Sequence, residues 1–299
     1  MRISLQSPLP FDHVVLDDAE VRKISQYVDE WANTWLPIDG LQKNFVSVYV
    51  KHCSPSGASA DLSLLAALFL LWFVEFNDLS NDSRRIPQLR EILADLTKAE
   101  ESSLQRQIKP TNATAEFLRI VHKRYTPLQT IRLINFLKSL VDATIQETLY
   151  GNNLPSTTAY IKLREQTVAV YPYFEFFRLA LGALPTSSHV EHYKRLERLA
   201  VQGIYMVNDI LSIERDLRKN KFNIIRCISA EDNIGIDNAI DKALAISNKI
   251  FNDLQTCYNN LVKNETDIAT MRYAAFLLTI QEGTRAATFE LKQRYFGNG

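Results

Sequence analysis

The sequence predicts an all-α fold, one domain of about ten helices over residues 1–299, and three observations carry it. Only 9 Gly and 10 Pro occur in 299 residues, roughly 6% of the chain and about half the usual share. Turn-rich β-sandwiches and barrels need more of both. Apolar residues recur with helical spacing along stretches that clusters of breakers separate. No β/α alternation emerges, although the β-branched run from Phe45 to Val50 has the composition of a short strand. The 46% hydrophobic content is material for a large core, and a chain of this size buries about three-quarters of its unfolded surface.

The elements follow in order. Asp18 to Trp35 is helical and stops at Leu36-Pro37-Ile38-Asp39-Gly40; Leu41 to Lys51 is shorter and ends at Ser54-Pro55-Ser56-Gly57. Asp61 caps a helix to Asp82. Its eleven-residue apolar run from Leu64 to Val74 falls short of the roughly 20 residues a membrane span needs, so it reads as a buried helix. Ile86 to Gln107, Asn112 to Arg124 and Leu128 to Leu149 follow, the last closed by Gly151-Asn152-Asn153-Leu154-Pro155. Ser156 or Thr157 caps the next stretch, Thr158 to Leu181, which proline interrupts at Tyr171-Pro172. Glu191 to Arg218, Ile236 to Leu261 and Glu265 to Phe296 complete the set.

Charge and cysteine usage exclude several functions. Thirty-four Lys+Arg balance 34 Asp+Glu, so no global field attracts nucleic acid or anionic lipid, and an anionic ligand needs a local cluster. Cys53, Cys227 and Cys257 are odd in number and widely spaced, which argues against a disulfide framework or a zinc site and fits a reducing compartment. The opening residues lack an apolar run behind a basic stretch, so no signal peptide is expected and the expected location is cytoplasmic. His189-Val190-Glu191-His192 lacks H-E-x-x-H spacing, and no G-x-S-x-G, Walker loop or G-x-G-x-x-G occurs.

The sharpest local signal is Asn208-Asp209-Ile210-Leu211-Ser212-Ile213-Glu214-Arg215-Asp216. On a helix Asn208, Ser212 and Asp216 drift by only about 40° per step. An amide oxygen, a hydroxyl and a carboxylate thus share one stripe, all hard ligands suited to Mg²⁺. The same spacing also serves an exposed polar face, but the apolar stretch Ala200, Val201, Ile204, Tyr205 and Val207 leads into it from a buried helix.

This segment resembles the second metal motif of the class I terpene synthases, Asn-Asp-x-x-Ser-x-x-x-Glu/Asp, particularly in their compact microbial single-domain form. The resemblance implies a helical bundle around a central cavity, with Asn208, Ser212 and Asp216 chelating Mg²⁺ bound to substrate diphosphate and Arg215 contacting the diphosphate. Asn220-Lys221-Phe222-Asn223 loosely echoes the polar continuation of the motif. The family's Asp-rich motif, Asp-Asp-x-x-Asp, belongs near the end of an upstream apolar helix. Asn77-Asp78-Leu79-Ser80-Asn81-Asp82 lies in that place, with asparagine at two of the three usual aspartates. A frame shifted by one residue puts Asp78 and Asp82 at i,i+4. Asp78 and Asp82 are the expected acidic ligands and Asn77 a carbonyl ligand; which residue leads the motif stays open.

Further residues match in order and spacing. Arg164 lies 44 residues before Asn208, the approximate separation of the family's diphosphate-sensing arginine, and a guanidinium holds phosphate oxygens bidentately. Taken alone, a helical arginine is more often a surface ion pair. Thr167 and Val168 fall in the family's linker and effector region, and Arg294-Tyr295 resembles its closing pair on diphosphate. Trp72, Phe73, Phe76, Tyr171, Tyr173, Phe174 and Tyr205 flank these positions. Each taken singly suits core packing, but as a group several should line a pocket whose π-faces stabilise cations.

The implied activity is ionisation of a C15 or C20 prenyl diphosphate, linear or already bicyclic, with diphosphate release and cyclisation of the carbocation. The implied cofactor is Mg²⁺, three ions with the bound diphosphate. Prenyl diphosphate is the expected partner, without nucleic acid or stable membrane insertion, and a homodimer stays open. Chain elongation by an isoprenyl diphosphate synthase, or a non-catalytic helical ligand-binding protein of the same fold, are the alternatives.

Overall fold

A computed structural model describes residues 15–36, 39–79, 83–103, 112–151, 153–183, 190–263 and 265–291. Among them are twelve α-helices and no strand. The chain order is α1 (Asp18–Trp35), α2 (Gly40–Cys53), α3 (Ala60–Leu79), α4 (Ile86–Ser103), α5 (Ala113–Arg124), α6 (Pro127–Leu149), α7 (Thr157–Thr167), α8 (Val170–Ala180), α9 (Val190–Arg218), α10 (Ile224–Asp232), α11 (Ile236–Val262) and α12 (Ile268–Glu290).

Local chemistry sets these boundaries. Asp39 and Gln42 close a reciprocal capping box on α2, with Gln42 N donating to Asp39 Oδ1 at 2.8 Å and Asp39 N to Gln42 Oε1 at 2.9 Å. The run Phe45 to Val50 lies inside this helix, not in a strand, because cap and tertiary packing override weak β-propensity. α3 begins at Ala60, one residue before the expected cap, because the Glu20 carboxylate of α1 accepts the Ala60 N–H. Ser156 caps α7 as expected, accepting from Ala159 N at 3.2 Å.

Two differences reshape the middle of the chain. The break in the expected stretch Thr158 to Leu181 falls at Val168-Ala169, with Ala169 left-handed at φ 62°. Pro172 is the third residue of α8, where its missing N–H would have had no intrahelical partner. α10 was not expected; Asn223 caps it, accepting from Ile225 N at 3.0 Å.

α9, of 29 residues, packs against α7, α8, α10, α11 and α12, while α3 packs against α1, α2, α5 and α8. Aromatic rings knit the α3 side: Trp72 stacks on Phe76 at 5.3 Å and on Phe117 at 6.2 Å. Close helix approach on the α12 side needs glycine. A Cβ at Gly283 would lie 2.2 Å from the His52 carbonyl oxygen, and one at Gly203 would lie 1.3 Å from Gln281 Nε2.

Candidate active site

Helices α2, α3, α6, α7, α8, α9 and α12 enclose a cavity of about 830 Å³. One end is polar: Glu147, Arg164, Asn208, Arg215, Asp216 and Lys219 line it from the C-terminal parts of α6, α7 and α9 and the turn after α9. The remainder is largely apolar, with Phe45, Leu70, Phe73, Tyr173, Ile204 and Ile280 on its walls. One helix supplies both ends, since Ile204 and Asn208 are successive turns of the same α9 stripe.

The stripe of Asn208, Ser212 and Asp216 folds as its spacing requires. Asn208 and Asp216 reach the cavity. Ser212, fully buried between them, donates from Oγ to Asp216 Oδ2 at 2.5 Å. Asn223 Nδ2 steadies the same oxygen at 3.0 Å and also donates to the Asp209 carbonyl at 2.7 Å. Asn223, in the sequence only part of an echo, is thus a bracket between the stripe and α10. Among the described residues no cluster of three His, Cys, Asp or Glu side chains could hold a metal. The mixed amide, hydroxyl and carboxylate set fits Mg²⁺, which takes oxygen ligands and keeps several waters.

Sequence reasoning missed Asp209. It sits about 100° around the helix from Asn208, turned inward and only 1% exposed. Arg164 donates to its Oδ1 from Nε at 3.2 Å and Nη2 at 3.0 Å, Tyr160 OH to its Oδ2 at 2.5 Å, and Ile224 N to Oδ2 at 3.0 Å. Burial pushes the Asp209 carboxyl upward against these donors. Burial also opposes the Arg164 charge, but Asp209, Tyr160 and Glu147 more than offset it and raise its pKa. Nη2 of the same arginine donates to Asn208 Oδ1 at 3.0 Å, so Asp209 aims the guanidinium at the cavity and at the first residue of the stripe.

Other groups at the polar end also escaped the sequence. Glu147 lies on the cavity wall, its pKa raised by burial while Arg164 pulls it back. Lys219 and Lys221 sit on the turn after α9, which Arg226 braces by donating to the Lys221 carbonyl and, at 2.7 Å, to Asn220 Oδ1. Basic side chains following the oxygen-rich stripe were the available signal.

The remaining candidates divide. Arg164, Thr167, Val168 and Arg215 all line the cavity. Of the seven aromatics, Phe73 and Tyr173 lie on the wall. Trp72, Phe76, Phe174 and Tyr205 are instead buried in the core, and Tyr171 stacks on Phe136 at 6.1 Å. Neighbouring positions on a helix point different ways, so Phe45, Tyr49 and Phe222 face the cavity in place of these five. Asn77 and Asp78 fall in the last turn of α3, but their side chains lie outside the described residues, as do Asp82, Arg294 and Tyr295 entirely.

Comparison with known proteins identifies the family to which this all-α bundle, with its oxygen-rich stripe and basic rim at one end of a cavity, belongs. Residues 69–253 match the description "Terpene synthase family 2, C-terminal metal binding". The fold is shared with linalool/nerolidol synthase from Streptomyces clavuligerus, TM-score 0.78 and 12% identity over 94% of this chain and 99% of that one. It is shared too with 2-methylisoborneol synthase from Streptomyces coelicolor A3(2), solved with Mg²⁺ and 2-fluoroneryl diphosphate, TM-score 0.78 and 16% identity over 97% and 98%. No curated protein matches the sequence. The chain belongs to the terpene synthase family.

Proposed function

We propose that this protein is a Mg²⁺-dependent class I terpene synthase that ionises a C15 or C20 prenyl diphosphate, linear or already bicyclic, and cyclises the resulting carbocation. One observation carries the reading: the stripe of Asn208 and Asp216 shares the polar end of an otherwise apolar cavity with Arg164, Arg215, Lys219 and Lys221. That end suits a diphosphate and the remainder suits its hydrocarbon tail. The cavity, about 830 Å³, lies within the usual span of small-molecule sites. A structural relative solved with Mg²⁺ and 2-fluoroneryl diphosphate supports both the metal and the substrate class.

The chain's own groups divide the work. Asn208, Ser212 and Asp216 would hold the metal, together with the carboxylates of Asp78 and Asp82 and the amide carbonyl of Asn77. Mg²⁺, proposed as three ions with the bound diphosphate, would supply charge neutralisation of the leaving group. Arg164 and Arg215, with Lys219 and Lys221, orient diphosphate and disperse its developing charge, and Arg294 and Tyr295 complete that contact as the site shuts. Phe45, Phe73 and Tyr173 keep water from the cation and offer it π-faces. Three buried thiols support a reducing compartment, the cytoplasm.

The test is incubation with Mg²⁺ and geranyl, farnesyl, geranylgeranyl or copalyl diphosphate, read by diphosphate release and gas chromatography. A hydrocarbon or alcohol with stoichiometric diphosphate is expected. Binding without turnover at every chain length would sink the synthase reading. A longer prenyl diphosphate formed with isopentenyl diphosphate would establish chain elongation instead.

A further inference from the structure

The ligand oxygens of the α9 stripe are already engaged. Asn208 Oδ1 accepts from Arg164 Nη2 at 3.0 Å. Asp216 Oδ1 accepts from Arg215 Nε at 3.0 Å, with Nη2 of the same arginine also at 3.0 Å. Asp216 Oδ2 takes the Ser212 hydroxyl at 2.5 Å and Asn223 Nδ2 at 3.0 Å. Two guanidinium charges therefore sit where a divalent cation must bind. Each also lines the cavity, within reach of an anion placed there.

We propose that Arg164 and Arg215 form a charge latch on the stripe. Each holds a metal-ligand oxygen until diphosphate draws its guanidinium away, so the stripe takes up its cation together with diphosphate and not before it. The latch rests on the reading of residues 208–216 as metal ligands. A cation approaching alone meets like charge at both ends of the stripe, and the oxygens it needs are spent on N–H donors. Diphosphate offers the arginines bidentate oxygens in exchange. Arg164 has a built-in pivot: its second contact, Asp209, is fixed by Tyr160 OH and Ile224 N. The guanidinium can leave Asn208 for the cavity without abandoning its buried counter-charge. Linkage then requires reciprocity, each ligand tightening the other by one common factor.

Mn²⁺ titrations of the full chain, followed by electron paramagnetic resonance with and without inorganic diphosphate and corrected against protein-free titrations, test this. Asp216→Ala assigns the bound signal to the stripe. In the unaltered protein, diphosphate should raise Mn²⁺ affinity by about 5–150-fold. Arg164→Lys keeps a cation on Asp209 but cannot span to Asn208 as well. Arg215→Gln frees Asp216 Oδ1 at a partly exposed position. Both variants should bind Mn²⁺ severalfold more tightly than the unaltered protein when diphosphate is absent, and show weaker coupling when it is present. Equal Mn²⁺ affinity with and without diphosphate, or variants matching the unaltered protein without it, would overturn the latch and leave the metal site standing. No stripe-dependent Mn²⁺ under any condition would overturn both.

Discussion

Asp209 spends its whole carboxylate on its own protein, answering a guanidinium, a phenol and a helix N-terminus at once. Removing one side of a buried ion pair leaves the other uncompensated, at a cost of about 3–5 kcal/mol. Asp209→Asn should therefore lower stability by about that amount in urea unfolding, and a loss below about 1 kcal/mol would contradict the buried pairing. Asp216→Ala and Asn208→Ala should fold normally by circular dichroism yet release no diphosphate from substrate. Turnover near the unaltered rate in either would remove that residue from the metal site. Legibility at this scale followed sequence distance. Asn208, Ser212 and Asp216 share one helix, so their spacing alone placed them on one stripe. Asp209 takes its meaning from Arg164 and Tyr160, 45 and 49 residues away, a pairing that no local pattern encodes.

The helices were legible where a cap or breaker acts locally and illegible where packing decides. α1 ran as expected from Asp18 to Trp35, whereas the α7–α8 break moved to Ala169 because proline is harmless in a first turn. α10 has only nine residues, too few for a periodic signal to stand out. Helix contact makes its own demands. Gly283→Ala drives a methyl into the backbone carbonyl of His52, and neither helix can yield locally. It should cost about 1–3 kcal/mol by chemical denaturation. Gly203→Ala should cost less, because its obstacle is the movable end of Gln281; the reverse order would refute this account.

A second expectation at this scale concerns pH. Between α9 and α12, Glu197 accepts from Tyr273 OH at 2.7 Å, and burial raises its pKa above the ordinary 4.5. The native state thus holds this proton to higher pH than the unfolded chain. Its contribution to stability is greatest below 4.5 and falls as pH rises through the folded value. Glu197→Gln keeps an acceptor for Tyr273 and removes the titration. Its melting temperature relative to the unaltered protein should therefore climb between pH 4 and pH 7. A difference independent of pH would exclude Glu197 as the source.

At the scale of the molecule, the cavity joins elements far apart in the chain, and its depth is a property of packing that no single segment carries. Of the seven flanking aromatics singled out from the sequence, Phe73 and Tyr173 face it; proximity along the chain gave the region and not the direction of each ring. Ile280 stands on the apolar wall. Ile280→Phe should shorten the usable cavity, with overpacking at about 1–3 kcal/mol felt most by the longest tails. The ratio of kcat/KM for C15 over C20 substrate should rise about tenfold or more, and an unchanged ratio would place the tail elsewhere.

All three cysteines are buried and unpaired, and burial pushes the thiols of Cys53 and Cys227 up to about 12 and raises that of Cys257 as well. Burial and the raised thiol pKa both slow alkylation of the native state, so opening of the bundle should accelerate it. The protein therefore carries an internal clock. Mass-resolved labelling of Cys53 would time the opening of the cavity wall, and labelling of Cys227 and Cys257 that of the α9–α11 side. Saturating diphosphate and Mn²⁺ should slow the first of these more than the others.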